Sequence, residues 1–289
     1  MRLRPCLPVA LSCLAALSWL AGPAAAADPA CAADAGWDTP SPPRHVHGST
    51  WFVGTCGISA ILVASPQGHV LLDGGTARGG ELIAASIRAA GFRLEDVRYI
   101  GLSHEHFDHA GGIAGLQQAS GATVVGTAAA LRVLQAGRSD RSDPQLLELE
   151  PFAPLPGPVR ELADGEVLEL GPLRLVLHAT PGHAPGGSSW SWRSCAAGEC
   201  LDIAYADSLT AISDEVFRYS AEDEHPGYLA AFRASLDKVA GLPCDILLTP
   251  HPGASELWSR LARPGACRAY ADAARERLEQ RLARERANR

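Results

Sequence analysis

The sequence predicts an α/β fold, because short apolar segments typical of buried strands alternate with segments of helical spacing along most of the chain. The first half runs from strands to helices, and the second half repeats that order. Three of the loops that follow predicted strands contain histidine. Because ligand sites in α/β sheets lie beyond the strand ends, these loops are the candidate functional region.

The N-terminal 27 residues have the pattern of a secretory signal peptide. A short basic start precedes an apolar run over residues 6–20, and a row of alanines places the cleavage site near residue 26 or 27. The apolar run is too short to span a membrane. We therefore expect residues 1–27 to be removed and residues 28–289 to form a single domain in the periplasm, without membrane attachment.

The charge of the chain argues against a nucleic-acid partner, and its composition allows a sizeable core. Hydrophobic residues make up 47% of the chain, enough for a sizeable core. The formal charge is −7, and removal of Arg2 and Arg4 changes it to −7 − 2 = −9. A nucleic-acid-binding surface needs an excess of basic charge, so we expect no nucleic-acid partner. The expected partner is a small-molecule substrate, and the expected oligomeric state is a monomer.

The cysteines indicate disulfide bonds. Of the 8 cysteines, Cys6 and Cys13 lie in the predicted signal peptide, which leaves an even number in an exported chain. Several pairings are possible, and proximity along the chain favours Cys31–Cys56, Cys195–Cys200 and Cys244–Cys267. Metal ligation by cysteine is the weaker interpretation, because the chain has no Cys-x-x-Cys pair and histidines already suffice.

Residues 103–112, Ser-His-Glu-His-Phe-Asp-His-Ala-Gly-Gly, contain a dense group of metal-binding side chains. They follow a buried strand predicted over 97–102 and precede a helix predicted from Ala110. Three imidazoles and a carboxylate are not buried without partners, and they are the ligands zinc prefers when no thiolate is offered. One ion cannot easily take all four groups, whereas two ions about 3.5–4 Å apart can if distant histidines complete each set. The loop therefore predicts a metal site.

The rest of the first half supplies the surrounding elements. Strands are predicted over 45–53, 58–64, 69–73 and 122–126, with helices over 80–90 and 128–136. Asp73, at the end of the third strand, is expected either to hold the metal loop by hydrogen bonds or to cap the strand end. The proline-rich segment over 137–158 is either a wall of the substrate site or a plain surface connection.

The second half contributes two more histidine loops. Strands are predicted over 166–170, 173–179, 188–193, 201–206 and 245–249, with helices over 222–239 and 267–286. His183 follows the second of these strands and His251 follows the last, each among prolines and glycines that constrain the backbone. Convergence of the three loops would provide six ligands, three for each of two metals.

The pattern His104-x-His106-x-Asp108-His109, followed by His183 and His251, resembles the metallo-β-lactamase superfamily. The resemblance covers nearly all of the mature chain and implies a four-layer αβ/βα sandwich in which two similar halves pack face to face. The segments over 180–187, 205–210 and 249–253 look most like subclass B3. Other subclasses place a cysteine ligand in the second of these segments, where this chain has Ser208.

The resemblance implies a zinc-dependent β-lactamase with two Zn²⁺ per chain. It assigns the first ion to His104, His106 and His183 and the second to Asp108, His109 and His251. It further implies that a zinc-bound hydroxide opens the β-lactam amide bond of penicillins, cephalosporins and carbapenems, which would confer antibiotic resistance. Asp108 would be the catalytic residue that accepts a hydrogen bond from the attacking water. Ser208 and Thr210 are the candidate donors to the substrate carboxylate.

Two acidic residues beside the ligands have alternative roles. In many hydrolases of the superfamily an aspartate near the segment over 205–210 bridges both metals, and Asp207 could do so here. The resemblance favours a supporting role for Asp207 without metal contact. Glu105 alternates with His104 and His106, so we expect it to point outward in a structural role rather than to act as a general base.

Two other functions compete with this interpretation. The first is another hydrolase of the same fold, such as a thioesterase or a lactonase. Export and three disulfides argue against a cytosolic glyoxalase-type enzyme. The second is a periplasmic metal-binding protein, which would saturate its metals with protein ligands. Three protein ligands per zinc leave open coordination positions, which is typical of a catalytic site.

Overall fold

The structure, a computed structural model, describes residues 31–32, 35–255 and 264–288. The predicted signal peptide lies outside the described residues. Within the described part of the chain, no helix has both the length and the apolar character needed to cross a membrane. The strands form two mixed sheets, one of seven strands and one of five.

The first sheet keeps the order of the chain. Its strands are β1 (Arg44–His47), β2 (Thr50–Phe52), β3 (Ile61–Ser65), β4 (Gly68–Leu72), β5 (Val97–Gly101), β6 (Thr123–Gly126) and β7 (Val159–Glu161). The strands up to β4 pair antiparallel, and β4 to β7 pair parallel. Parallel pairing of β4 with β5 brings the ends of both strands to the same edge of the sheet.

The second sheet is ordered β12-β11-β10-β9-β8. Its strands are β8 (Val167–Leu170), β9 (Leu173–Ala179), β10 (Ser188–Ala196), β11 (Glu199–Tyr205) and β12 (Ile246–Leu248). The pairs from β8 to β11 are antiparallel, and β11 pairs parallel with β12. The loops after β11 and β12 therefore leave the sheet at one edge.

The helices cover the outer faces of the two sheets. They are α1 (Ala77–Ala89), α2 (Phe107–Ala110), α3 (Ile113–Ser120), α4 (Ala128–Ala136), α5 (Tyr228–Ala240) and α6 (Ala266–Ala287). Short 3₁₀ turns lie at Leu94–Asp96, Leu146–Glu148 and Pro252–Ser255.

Three apolar clusters separate four layers. The first contains Leu71 of β4 and Ile87 of α1, and the second contains Leu72 of β4 and Trp190 of β10. The third joins β11 to α5 and α6 and contains Phe232. Adjacent leucines of β4 face opposite clusters because successive side chains of a strand point to opposite faces. The predicted four-layer αβ/βα sandwich is confirmed.

The prediction of a single strand over 45–53 is wrong. The chain forms two strands there, β1 and β2, which pair antiparallel as a tight hairpin. Gly48 adopts a φ of 52° in the turn between them. Side chains with a Cβ rarely adopt this left-handed conformation, so a glycine within an alternating apolar pattern marks a turn.

Two predicted helices have different boundaries for reasons of backbone geometry. The helix predicted from Ala110 is split into α2 and α3, and Gly111 and Gly112 lie between them. A Cβ on Gly112 would meet the Gly74 carbonyl oxygen and would lie 2.7 Å from the Gly80 Cα. The helix predicted over 222–239 begins only at Tyr228, because Gly227 has a φ of 76° that cannot extend the helix.

The predicted disulfides are confirmed. Cys31–Cys56, Cys195–Cys200 and Cys244–Cys267 are bonded. Cys195 and Cys200 are direct cross-strand partners in the β10–β11 hairpin, with Cα atoms 4.0 Å apart. The third disulfide ties the residues before β12 to the start of α6.

Candidate metal centre

The three histidine loops converge at the ends of β5, β9 and β12. The ring centroid of His104 lies 4.7 Å from that of His106 and 4.7 Å from that of His183. His109 and His251, whose centroids are 4.9 Å apart, continue the cluster, and the His104 and His109 centroids are separated by 4.4 Å. All five histidines predicted as ligands therefore lie in one group, with Asp108 beside them.

Asp73 holds the metal loop in place, which is one of the two roles expected for it. Its carboxylate is fully buried and accepts hydrogen bonds from the Ser103 amide at 2.5 Å and the Ser103 hydroxyl at 2.7 Å. The Tyr205 hydroxyl donates to the same carboxylate at 2.6 Å. Asp73 itself has a φ of 66°, an unusual conformation for a residue other than glycine. This geometry joins the ends of β4, β5 and β11 behind the histidines.

A first group consists of His104, His106 and His183. Each of these rings offers one nitrogen to the cluster because a protein acceptor holds the other. His104 Nδ1 lies 2.9 Å from Asp207 Oδ1, and His183 Nδ1 lies 3.0 Å from the Thr210 carbonyl oxygen. His106 is held at Nε2, which lies 3.1 Å from Asp143 Oδ2. Such partners determine which ring nitrogen is free to bind a metal and orient the ring. The nitrogens left for a metal are Nε2 of His104, Nδ1 of His106 and Nε2 of His183, the last with the Gln145 side-chain nitrogen 3.5 Å away.

A second group forms around Asp108. His109 Nδ1 lies 3.2 Å from Asp73 Oδ2 and His251 Nδ1 lies 3.3 Å from the Gly57 carbonyl oxygen, so each ring directs Nε2 inward. The two Nε2 atoms are 3.3 Å apart, and they lie 3.1 and 3.6 Å from Asp108 Oδ2. Ligands bound at about 2.0–2.1 Å in a tetrahedron are separated by about 3.3 Å, so these atoms fit a zinc site.

The electrostatics of the cluster favour a bound cation. Burial lowers the pKa of His183 to about 3 and that of His251 to about 4, which keeps both rings neutral with a free lone pair. Burial opposes ionisation of Asp108, yet neighbouring His109 outweighs it and lowers the pKa of that carboxyl. Burial likewise opposes protonation of His109, but Asp108 and Asp73 raise its pKa to about 10. A positive charge is therefore favoured where these groups meet.

The donor set consists of buried nitrogen and oxygen atoms that suit a divalent metal, typically zinc. Ligand atoms of His104, His106 and His183 lie within 4.8 Å of one another. The same holds for a second set made of His104, Asp108 and His109. His104 belongs to both sets because it lies between the two groups.

A cleft of about 430 Å³ opens onto the cluster. Its apolar lining includes Trp37, Phe107, Leu149 and Ile212, and its polar lining includes Asp108, Gln145, Ser208 and Thr210. Both candidate substrate donors, Ser208 and Thr210, therefore line the cleft. The Thr210 hydroxyl also lies 2.8 Å from His183 Nδ1.

The structure shows the contacts of both acids that lie beside the ligands. Asp207 is fully buried and holds the Nδ1 side of His104, which agrees with a supporting role. The outward orientation predicted for Glu105 is wrong in one respect, since its side chain is fully buried. It points away from the imidazoles, where the loop over 180–187 covers it, and it accepts a hydrogen bond from the Gly186 amide at 2.7 Å. Burial raises the pKa of Glu105 to about 7.

Sequence reasoning missed several residues around the ligands. Asp143 and Gln145 lie in the proline-rich segment, which was predicted only as a possible wall of the site. Asp143 contacts His106, and the Gln145 side-chain nitrogen lies 3.5 Å from His183 Nε2. Trp37, at the other side of the cleft, precedes the first predicted strand. No local pattern connects these residues to histidines far away in the chain.

The sandwich and the donor set together define a metal-binding α/β protein, and comparisons with known proteins identify its family. The model of the family described as the metallo-beta-lactamase superfamily matches residues 53–251. The chain belongs to this superfamily.

Among solved structures, this chain is similar to MEM-A1, described as a subclass B3 metallo-beta-lactamase isolated from a soil metagenome library. The identity is 46% and the TM-score 0.86, over 88% of this chain and 100% of that chain. MIM-1 from Novosphingobium pentaromativorans, described as a metallo-beta-lactamase, is 46% identical with a TM-score of 0.84, over 88% of this chain and 94% of that chain.

A curated protein is also similar over part of its length. A hydroxyacylglutathione hydrolase from Acidiphilium cryptum is 28% identical over 163 residues, which is 56% of this chain. The chain spans about half the length of this curated relative, since the match covers 52% of it.

Proposed function

We propose that this protein is a subclass B3 metallo-β-lactamase that hydrolyses the β-lactam amide bond of penicillins, cephalosporins and carbapenems. The observation that carries the proposal is the inward orientation of four buried imidazoles, the partly exposed His251 imidazole and one carboxylate beside an open cleft. The two solved relatives at 46% identity, both described as metallo-beta-lactamases, support it. The curated hydrolase shares less identity over a shorter stretch.

The proposed cofactor is two Zn²⁺ per chain. His104, His106 and His183 would hold the first ion, and Asp108, His109 and His251 would hold the second. Ligand separations of 3.1–3.6 Å in the second set support that assignment. When bound, such a pair of ions lowers the pKa of a water molecule and polarises the substrate carbonyl.

The protein's own residues prepare the site for that chemistry. Asp108 is the proposed catalytic residue, because its ionised carboxylate lines the cleft and can accept a hydrogen bond from the attacking water. Asp207 and Asp143 keep two imidazoles in one tautomer, so their free nitrogens stay aimed at the cluster. Trp37 and Ile212 offer apolar surface for the substrate at the rim of the cleft.

Ser208 and Thr210 are the proposed donors to the substrate carboxylate. Both line the cleft, and Thr210 lies beside His183 of the first ligand set. The Thr210 hydroxyl can accept a hydrogen bond from His183 Nδ1 and keep its own hydrogen for the substrate. We further propose that the enzyme is a monomer exported to the periplasm, where it would confer antibiotic resistance. The three disulfides support export.

The test is hydrolysis by the purified mature chain. We expect turnover of nitrocefin and of at least one penicillin or carbapenem, loss of turnover with a chelator, and its return with zinc. Metal analysis should give about two zinc ions per chain. Cleavage of a hydroxyacylglutathione thioester with no turnover of any β-lactam would instead assign a thioesterase. Tight zinc binding without hydrolysis of either class would assign a metal-binding protein.

A further inference from the structure

Two loops flank the metal cluster on one side of the cleft. The first, residues 140–149, is called here the Asp143 loop, and the second, residues 211–217, the Ile212 loop. The Asp143 loop contains one short 3₁₀ turn, at Leu146–Glu148, and the Ile212 loop contains no helix or strand. Their positions therefore depend on contacts made by particular side chains.

Asp214 belongs to the Ile212 loop and forms hydrogen bonds both within that loop and with the Asp143 loop. The residue is 3% exposed, and its Oδ2 atom accepts hydrogen bonds from Arg141 Nη2 at 2.8 Å and the Leu147 amide at 3.2 Å. The Asp214 amide donates to the Pro144 carbonyl oxygen at 2.8 Å. Its Oδ1 atom accepts from the amides of Val216 and Phe217, both at 2.9 Å. One buried carboxylate thus joins the two loops.

These contacts lie on both sides of Asp143 in the chain. Asp143 is 1% exposed, and its two carboxylate oxygens lie 3.1 and 3.3 Å from His106 Nε2. Arg141, Pro144 and Leu147 all belong to the same loop and all bond to Asp214. The loop that carries the Asp143 carboxylate is therefore held by Asp214, whose described hydrogen bonds reach none of the candidate metal ligands.

We propose that Asp214 is a positioning residue that joins the Asp143 loop to the Ile212 loop and thereby holds Asp143 against His106. The inference rests on the proposed function for its effect on turnover, but its effect on metal binding does not depend on the substrate. Without Asp214, the Asp143 loop loses bonds on both sides of Asp143. His106 is then less well oriented, and Ile212 at the rim of the cleft shifts with its loop.

The test substitution is Asp214→Asn, which keeps the shape but replaces one acceptor oxygen by a donor nitrogen. We expect zinc affinity, measured by competition with a chromophoric chelator, to fall by about tenfold, the lower end of the effect of losing a ligand's supporting partner. We expect KM for nitrocefin to rise by a larger factor than kcat falls, because the rim moves while Asp108 stays in place.

Glu285→Gln is the matched control. Glu285 is 6% exposed and accepts hydrogen bonds from the amides of Tyr219 and Ser220, just beyond the Ile212 loop. Its described hydrogen bonds do not reach the Asp143 loop. We expect a loss of thermal stability similar to that of Asp214→Asn, with zinc affinity within about twofold of the parent protein, since the support of His106 is unchanged.

A double-mutant cycle with Asp143→Asn completes the test. If Asp214 acts through Asp143, the double variant has nearly the zinc affinity of Asp143→Asn alone. Parent-like zinc affinity in Asp214→Asn, an equal loss in Glu285→Gln, or additive losses in the double variant would each overturn the proposal. If Asp214→Asn does not fold, Arg141→Met removes one of the bonds from a side chain that is 48% exposed. A lower zinc affinity in that variant supports the proposal, and parent-like affinity overturns it.

The zinc measurement also separates this inference from the proposed function. If the parent protein binds zinc but hydrolyses no β-lactam, the proposed function is wrong, while the effect of Asp214→Asn on zinc affinity still decides the inference. If the parent protein hydrolyses β-lactams and Asp214→Asn binds zinc normally, only the inference is wrong.

Discussion

At the residue scale, the five site histidines do not present the same atom. His104, His183 and His251 have a hydrogen-bond partner at Nδ1, and the Asp73 carboxylate lies 3.2 Å from His109 Nδ1, whereas His106 has its partner at Nε2. His106 comes from the same short loop as His104 and its ring stands perpendicular to that of His104. Opposite tautomers let two rings from one loop direct their free nitrogens to one point, with Asp207 behind one and Asp143 behind the other.

Asp108→Asn tests the catalytic assignment. The substitution keeps the size of the side chain but removes the negative charge that faces the cleft. We expect kcat for nitrocefin to fall at least about a hundredfold, the scale of a lost proton acceptor, while the circular-dichroism spectrum stays that of the parent protein. A variant that loses zinc affinity but keeps its rate at saturating zinc would assign Asp108 to metal binding alone.

Asp207→Ala tests the supporting role of the acid behind His104. Without this carboxylate, Nδ1 keeps the more distant Ser103 hydroxyl at 3.2 Å, which selects the tautomer with a free Nε2 less strongly. We expect zinc affinity to fall about 10- to 100-fold, measured by chelator competition, with a rate at saturating zinc closer to that of the parent protein. A rate that stays low at saturating zinc would instead indicate that Asp207 contacts the reacting groups.

At the element scale, the site is assembled from strand ends that the two sheets bring together. Parallel pairing places the ends of β4 and β5 side by side in one sheet and those of β11 and β12 side by side in the other. Hydrogen bonds then cross between the sheets. The Trp190 indole of β10 donates to the Leu102 carbonyl oxygen at 2.9 Å, and the Ser188 amide donates to the Ser103 carbonyl oxygen at 2.6 Å. These bonds hold the loop over 180–187 against the metal loop.

Gly112→Ala tests the close packing at the start of α3. A methyl group there would meet the Gly74 carbonyl oxygen and lie 2.7 Å from the Gly80 Cα, so α3 must move away from α1. We expect the free energy of unfolding to fall by about 1–3 kcal/mol in a denaturant titration.

Gly115→Ala in the same helix is the control for Gly112→Ala. Apart from its chain neighbours and the backbone of its own helix, no atom of the described residues lies within 4 Å of a Cβ placed on Gly115. This substitution should stabilise the protein by about 0.5–1 kcal/mol, because alanine favours a helix interior. Equal effects of the two substitutions would contradict the packing argument.

At the scale of the whole molecule, acid stability depends in part on a carboxylate that joins two loops. Burial opposes ionisation of Asp214, but the Phe217 amide and the Arg141 guanidinium outweigh it and lower its pKa to about 2. The unfolded chain has the ordinary aspartate pKa of about 3.9 and therefore binds this proton more readily. The stabilisation is thus complete above about pH 4 and is lost as the pH falls toward about 2.

Asp214→Asn tests this contribution in the metal-free protein. The variant lacks the titrating group, so the difference in unfolding free energy between parent and variant should shrink as the pH falls from about 4 to about 2. Denaturant titrations at a series of pH values measure it. A difference that stays constant across this window would show that Asp214 does not titrate with folding.

The sequence by itself determined which residues are candidate metal ligands and which elements carry them, and it favoured the cysteine pairing that the structure has. These features depend on local spacing: His104, His106, Asp108 and His109 lie in one short loop, and period-two or helical patterns mark the surrounding strands and helices. The prediction of one strand over 45–53 is wrong because Gly48 adopts a left-handed backbone conformation. An alternating apolar pattern does not indicate such a conformation.

Only the tertiary structure decided how those residues are supported. The free nitrogen of each histidine, the burial of Glu105 and the contacts of Asp143 and Asp214 follow from segments that lie far apart in the chain, such as 106 with 143 or 104 with 207. A hydrogen bond depends on the distance and direction between two groups in space. For residues that lie far apart in the chain, sequence spacing does not give that distance or direction.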